Sequence, residues 1–125
     1  MTIDDYFYEI EKTISDFNIV VRQKTEKRKI DNNFGIFKGL LYFESGSLDF
    51  IEVVRINHNE TIKIKYKYHF MSNENIMIFR YDNVPHHQGI STFPNHKHIT
   101  DEIISCSEPN FLTVLSEIKR NQNIE

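Results

Sequence analysis

Four of the six histidines in this 125-residue chain, His86, His87, His96 and His98, fall within thirteen residues of one another. Arg80, Asp82 and Lys97 lie beside them. Imidazole has an unperturbed pKa of about 6.5, so near neutrality it can both take and give a proton, and it is the commonest metal ligand. Two chemistries follow. In the first, two histidines act as base and acid while Arg80 or Lys97 neutralises charge on a phosphorane, which are the needs of metal-independent RNA cleavage. In the second, a divalent metal is held by His86, His96 and His98, with His87 or Asp82 able to complete the set. His96 and His98 are two apart and would face one side of an extended backbone. That spacing lacks the doubled short pairs or the helical i, i+4 histidines of strong zinc signatures. A third reading is structural, with His and Asn side chains caging a proline-punctuated loop through its own carbonyls.

The elements that must position these residues can be read from periodicity. Ile3, Tyr6, Phe7, Ile10, Ile14 and Phe17 recur at helical spacing among acids, which predicts a helix over about residues 2–16 capped by Thr2. From Ile19 the period becomes that of strands. Residues 22–29 hold five basic side chains and one acid and should form a solvated strand. Residues 36–43 are apolar almost throughout, predicting a strand covered on both faces. Leu48, Phe50, Val54 and Ile56 share one face of the next strand with Glu52, a carboxylate that must be paired or belong to a site.

Thr61 to Phe70 alternates cleanly, placing Ile62, Ile64, Tyr66, Tyr68 and Phe70 on one side and Lys63, Lys65, Lys67 and His69 on the other. The three lysines would stand about 6.5 to 7 Å apart, suited to an RNA backbone or to protecting a strand edge. The strand Ile76–Tyr81 ends where Arg80 and Asp82 begin the histidine stretch, and residues 82–99 read as one long functional loop. Ser107 and Pro109 precede an apolar stripe of Phe111, Leu112, Leu115 and Ile118, a helix running to about Asn121. The sum is one α+β domain over residues 1–125: an N-terminal helix, an antiparallel sheet of about five strands between residues 19 and 81, the His-rich loop and a C-terminal helix.

Charge is segregated. Residues 1–18 carry one lysine against five acids, residues 19–70 ten basic side chains against six acids, and residues 100–125 two against five. The basic middle suggests a polyanion-facing surface, and the acidic helices offer faces for another protein or for a second copy, a homodimer. One cysteine, Cys106, excludes an internal disulfide. No apolar window approaches a membrane span and the first residues are acidic, so a cytoplasmic protein without membrane contact is expected.

The runs Phe79-Arg80-Tyr81-Asp82-Asn83-Val84-Pro85-His86-His87 and Phe93-Pro94-Asn95-His96-Lys97-His98 resemble the signature of the TumE-type toxin family, RYDN-x-PHH followed by FP-x-HKH. Leu41-Tyr42-Phe43 with Gly46-Ser47, the Glu52-bearing strand and the Tyr66/Tyr68 strand extend the likeness over roughly residues 34–115. Val84 departs mildly from an alanine of the family pattern. The resemblance implies a toxin of a type II toxin–antitoxin pair, neutralised by a helix-turn-helix antitoxin. Matched to the motif, the functional residues are Arg80, Asp82, His86, His87, His96, Lys97 and His98, with Glu52 a second partner across the sheet. Together the readings predict a His-dependent endoribonuclease that needs no cofactor, with RNA as substrate and Lys63, Lys65 and Lys67 on its backbone. The alternatives are a non-catalytic binder of RNA, ribosome or protein, and a divalent-metal nuclease or phosphodiesterase.

Overall fold

A computed structural model describes residues 1–85 and 93–122. Helix α1 (Ile3–Phe17) begins with a capping box: the Asp5 amide donates to Thr2 Oγ1 at 3.3 Å, and the Thr2 amide donates to the Asp5 carboxylate at 2.9 Å. Then come strands β1 (Arg22–Asp31), β2 (Phe34–Phe43), β3 (Gly46–Asn57), β4 (Glu60–Ser72), β5 (Met77–Asp82), β6 (His96–Ile99) and β7 (Glu102–Ser105), and helix α2 (Phe111–Gln122). All neighbouring strands are antiparallel, and their order in the sheet is their order in the chain. The α+β class is as expected, but the sheet has seven strands rather than about five. The two extra strands are β6, inside the stretch read as loop, and β7, just after it. Each is only four residues long, and neither carries enough apolar periodicity to declare itself.

Both helices cover one face of the sheet and pack against each other. The apolar stripe of α1 (Ile3, Tyr6, Phe7, Ile10, Ile14) and that of α2 (Phe111, Val114, Leu115, Ile118) meet Phe37, Leu41, Phe50, Tyr68 and Phe79 of the strands. Phe111 sets its ring edge-on to Phe50 and Tyr68, at centroid distances of 4.9 and 5.7 Å. A Cβ on Gly35 would lie 2.7 Å from Ile3 and 2.8 Å from Phe7, so the missing side chain lets α1 sit directly on β2. Among the described residues no helix lies on the opposite face. Strand β2 therefore alternates buried and half-buried residues, correcting the expectation that both its faces are covered. Its outward Ile36, Leu40 and Tyr42 shelter only among their strand neighbours.

Strand β4 does not hold one alternation throughout. Its register against β3 shifts between Val53 and Val54, so that Val53 faces Lys65 and Val54 faces Lys63, with Ile64 as the extra residue of a bulge. Beyond a bulge every side chain changes side. Lys63 consequently turns inward and is buried, while Ile62 and Ile64 are exposed. The predicted row of Lys63, Lys65 and Lys67 is thereby broken: Lys65 and Lys67 remain on the helix-free face, and Lys63 crosses to the helix side.

Charge segregation has a partly internal cause. Lys27 and Lys29 of β1 point toward α1 and pair with Glu11 and Asp4 at 3.1 and 2.7 Å. Acidic helix and basic strand thus face each other, although exposed pairs of this kind contribute at most about 1 kcal/mol each. Apart from the inward Lys63, the remaining basic side chains of β1 to β4, including Lys24, Lys38 and Lys67, project from the helix-free face.

Candidate active site on the helix-free face

Alternation along β5 and β6 places Arg80 and Asp82, and then His96 and His98, on the face without helices. Pairing sets Arg80 opposite His98 and Asp82 opposite His96. Asp82 is almost completely buried and gathers the cluster around its carboxylate. His96 Nε2 lies 2.7 Å from Oδ1, Arg80 Nε donates to Oδ2 at 2.9 Å, and His98 Nε2 is 3.6 Å from Oδ2. The Val84 amide adds a 3.1 Å bond to Oδ1. His96 is itself buried, and its Nδ1 lies 2.9 Å from the Pro94 carbonyl. A carbonyl only accepts, so Nδ1 carries the hydrogen, and Nε2 bonds the Asp82 carboxyl only with a further proton between them. The two imidazoles stand edge to face at 4.9 Å.

Exposure divides the labour. The side chains of His96 and Asp82 are each 1% exposed, whereas His98 is 22% and Arg80 36% exposed. A substrate can therefore meet His98 and Arg80, held from beneath by His96 and Asp82. Asn83 and Asn95 fix the flanks: Asn83 accepts from the Tyr66 amide at 3.0 Å, and Asn95 accepts from the Tyr66 hydroxyl at 2.8 Å.

Not every candidate from the sequence joins this cluster. Lys97 falls on the opposite parity of β6, points to the helix side, and donates to Glu117 at 2.8 Å. Burial alone would lower its pKa, but the bonds to Glu117 and Tyr81 prevail and hold it above the ordinary lysine value. Glu52 also lies on the helix side. Its carboxylate accepts from Tyr6 at 2.5 Å and from Tyr68, with Lys63 at 3.7 Å. Lys63 further donates to the Tyr68 hydroxyl at 2.7 Å and the Pro109 carbonyl at 2.5 Å. Desolvation pulls its pKa down against the pull of Glu52. Glu52 and Lys63 are therefore a buried pair beneath the helices, separate from the Asp82 carboxylate. His86 and His87 lie outside the described residues, so the metal set of His86, His96 and His98 is only partly visible. Among the described residues the three-ligand set is Asp82, His96 and His98, whose donor atoms lie within 4.8 Å of one another. Burial raises the Cys106 thiol above its usual value, which leaves it protonated and a poor nucleophile.

Register also reveals neighbours that spacing along the chain hides. One line runs across the strands through His96, Asp82, Lys67, Ile51, Lys38 and Glu26. The adjacent line runs through His98, Arg80, His69, Asp49, Leu40 and Lys24. Only the shared parity of Lys67 and His69 could have suggested this in advance. Burial, reinforced by the nearby charges of Arg80 and Lys67, lowers the pKa of His69 and favours its neutral form.

An antiparallel sheet capped by two helices on one face, with a carboxylate, two imidazoles and a guanidinium clustered on the other, describes a small α+β protein with a candidate site for acid–base or metal chemistry. Residues 10–122 match the family model described as Toxin TumE, and the chain belongs to that family. Membership places it among the toxins of toxin–antitoxin systems and implies an antitoxin as its partner. No curated protein and no solved structure matches the chain. No helix among the described residues is long and apolar enough to cross a membrane.

Proposed function

We propose that this toxin is an endoribonuclease whose chemical step runs on the helix-free face at Arg80, Asp82, His96 and His98. The observation that carries the reading is the convergence of two imidazoles and a guanidinium on one buried carboxylate, with His98 and Arg80 left open to a ligand. In the proposed reaction the 2′-oxygen of RNA forms a bond to the adjacent phosphorus and the bond to the 5′-oxygen breaks. An imidazole takes the 2′-proton, and a protonated group returns one to the leaving oxygen. His98 is one of these two groups, Arg80 stabilises the phosphorane charge, and the His96–Asp82 pair positions both. His86 and His87 enter this proposal on the motif match alone. A helix-turn-helix antitoxin and a cytoplasmic site of action belong to the same reading. Its test is expression of wild type and of His98→Ala with RNA integrity followed: breakdown by the first and not the second supports it, and equal breakdown contradicts it.

One observation favours a second chemistry. Asp82, His96 and His98 present three donor atoms within 4.8 Å, and the Nδ1 bond of His96 to a carbonyl is the kind of support that orients metal-ligating histidines. These residues fit a divalent transition metal, which would supply Lewis acidity at the phosphate. Cleavage that survives metal stripping and chelation removes this version; cleavage lost and restored by added divalent metal removes the metal-free one.

A further inference from the structure

The cross-strand lines that leave the Asp82 cluster lead into a shallow, open cavity of about 450 Å³ on the outer face of β1, β2, β3 and β4, lined by Lys24, Lys38, Leu40, Asp49, Ile51 and Lys67 among others. All six belong to the two lines that begin at His96 and His98. Lys67 is common to both places, facing Asp82 across one strand pair and bordering the cavity on its other side. The wall chemistry is mixed, with Leu40 and Ile51 apolar between three lysines and two acids, Glu26 and Asp49. Those acids anchor rather than cancel. Lys67 rests on Asp49 at 3.1 Å and Lys38 on Glu26 at 3.6 Å, so both pairs line the cavity, and each ammonium has three donors to share.

We infer that this cavity is a substrate subsite for one nucleotide of a single-stranded RNA that lies across the helix-free face, its base against Leu40 and Ile51 and its phosphate against Lys24 and Lys38. This inference rests on the endoribonuclease reading and names the form of substrate that reading leaves open. Three strand spacings separate Asp82 from Lys38 along the line, about 14 Å. That span corresponds to roughly two nucleotides of extended single strand. A paired A-form duplex buries its base edges in a deep groove and offers no single base to an apolar pocket, whereas an unpaired strand does. The lysines account for backbone affinity and the apolar pair for a sequence-tolerant base contact.

The experiment measures binding of a fluorescein-labelled, degenerate 2′-O-methyl RNA of about ten nucleotides, which cannot be cleaved, over a series of salt concentrations. Lys24→Gln/Lys38→Gln should weaken binding on the order of tenfold and flatten the log–log salt slope by about 0.7, the contribution of one single-strand phosphate. Lys119→Gln/Arg120→Gln removes the same charge from α2 on the other face and should leave affinity within about twofold. A second variant, Ile51→Trp, fills the cavity without changing charge and should weaken the single strand as well. If wild type binds the oligomer and the cavity variants behave like the α2 control, the subsite is wrong and the RNA reading stands. If wild type binds no oligomer at any salt concentration, both fall together.

Discussion

Replacing Glu52 by Gln tests whether the second buried carboxylate is scaffold or site. The substitution keeps the shape and removes the charge, leaving the Lys63 ammonium on the helix side with no carboxylate at 3.7 Å; the side chains concerned are 6% and 1% exposed. Breaking a buried pair from one side costs roughly 3–5 kcal/mol, since the surviving charge stays desolvated. Unfolding entropy for a chain of this length is about 0.26 kcal/mol/K, so Tm should fall by roughly 11–19 °C. Lys63→Met removes the other charge, and the double variant should recover part of the loss, because a well-packed apolar replacement of a buried pair is often neutral or stabilising. The assay is a thermal or urea melt of the four proteins, with the coupling energy taken from the cycle. RNA cleavage per folded molecule should be unchanged at a temperature where Glu52→Gln is folded. A cost under about 1 kcal/mol with no coupling would refute the buried-pair account. Full stability with lost cleavage would return Glu52 to the active site.

The pH dependence of folding follows from the same cluster. Burial first, then the Glu52 charge, raises the Tyr6 and Tyr68 hydroxyls far above the usual tyrosine value. Their contribution is intact below the unfolded pKa near 10 and is lost above it, at about 1.4 kcal/mol per tyrosine per pH unit. Lys63 is shifted the other way, so it opposes this slope only up to about pH 10.4. Urea melts should therefore show a steep loss above about pH 10.5, shallower by about 1.4 kcal/mol per pH unit in Tyr6→Phe; a flat profile would contradict it. His96→Ala and His98→Ala should differ: the first loses stability and cleavage because it opens a buried contact with Asp82, while the second loses cleavage and melts within about 1 kcal/mol of wild type. Equal melting losses would overturn the division into positioning and reacting imidazoles.

Much of the framework is written in local patterns. Thr2 and Asp5 declare the start of α1, and the alternation of Leu48, Phe50, Val54 and Ile56 declares the covered face of β3. The candidate site is legible as composition, since the types and spacing of Arg80, Asp82, His96 and His98 mark them in the sequence. Its construction is not. His96 to Ile99 forms a strand of four residues whose outward histidines read as loop, because the ladder that makes it a strand is supplied by β5 and β7. The same parity that brings His96 and His98 to Asp82 sends Lys97 to Glu117. Lys63 left its expected row through a bulge at Ile64, which depends on register between two strands and has no local marker. Pairing across strands also decides which lysines become neighbours of the site.

RNA cleavage by the Asp82 cluster can be measured on the purified protein. Purified wild type and Asp82→Asn, each confirmed as folded by its melt, are incubated with total RNA and the products resolved by length. Wild type should fragment the RNA, with the variant slower on the order of 10²–10⁴-fold, because the amide cannot anchor both His96 and Arg80 as the carboxylate does. Fragmentation by Asp82→Asn at the wild-type rate, or growth arrest by wild type with its RNA intact, would contradict cleavage by that cluster.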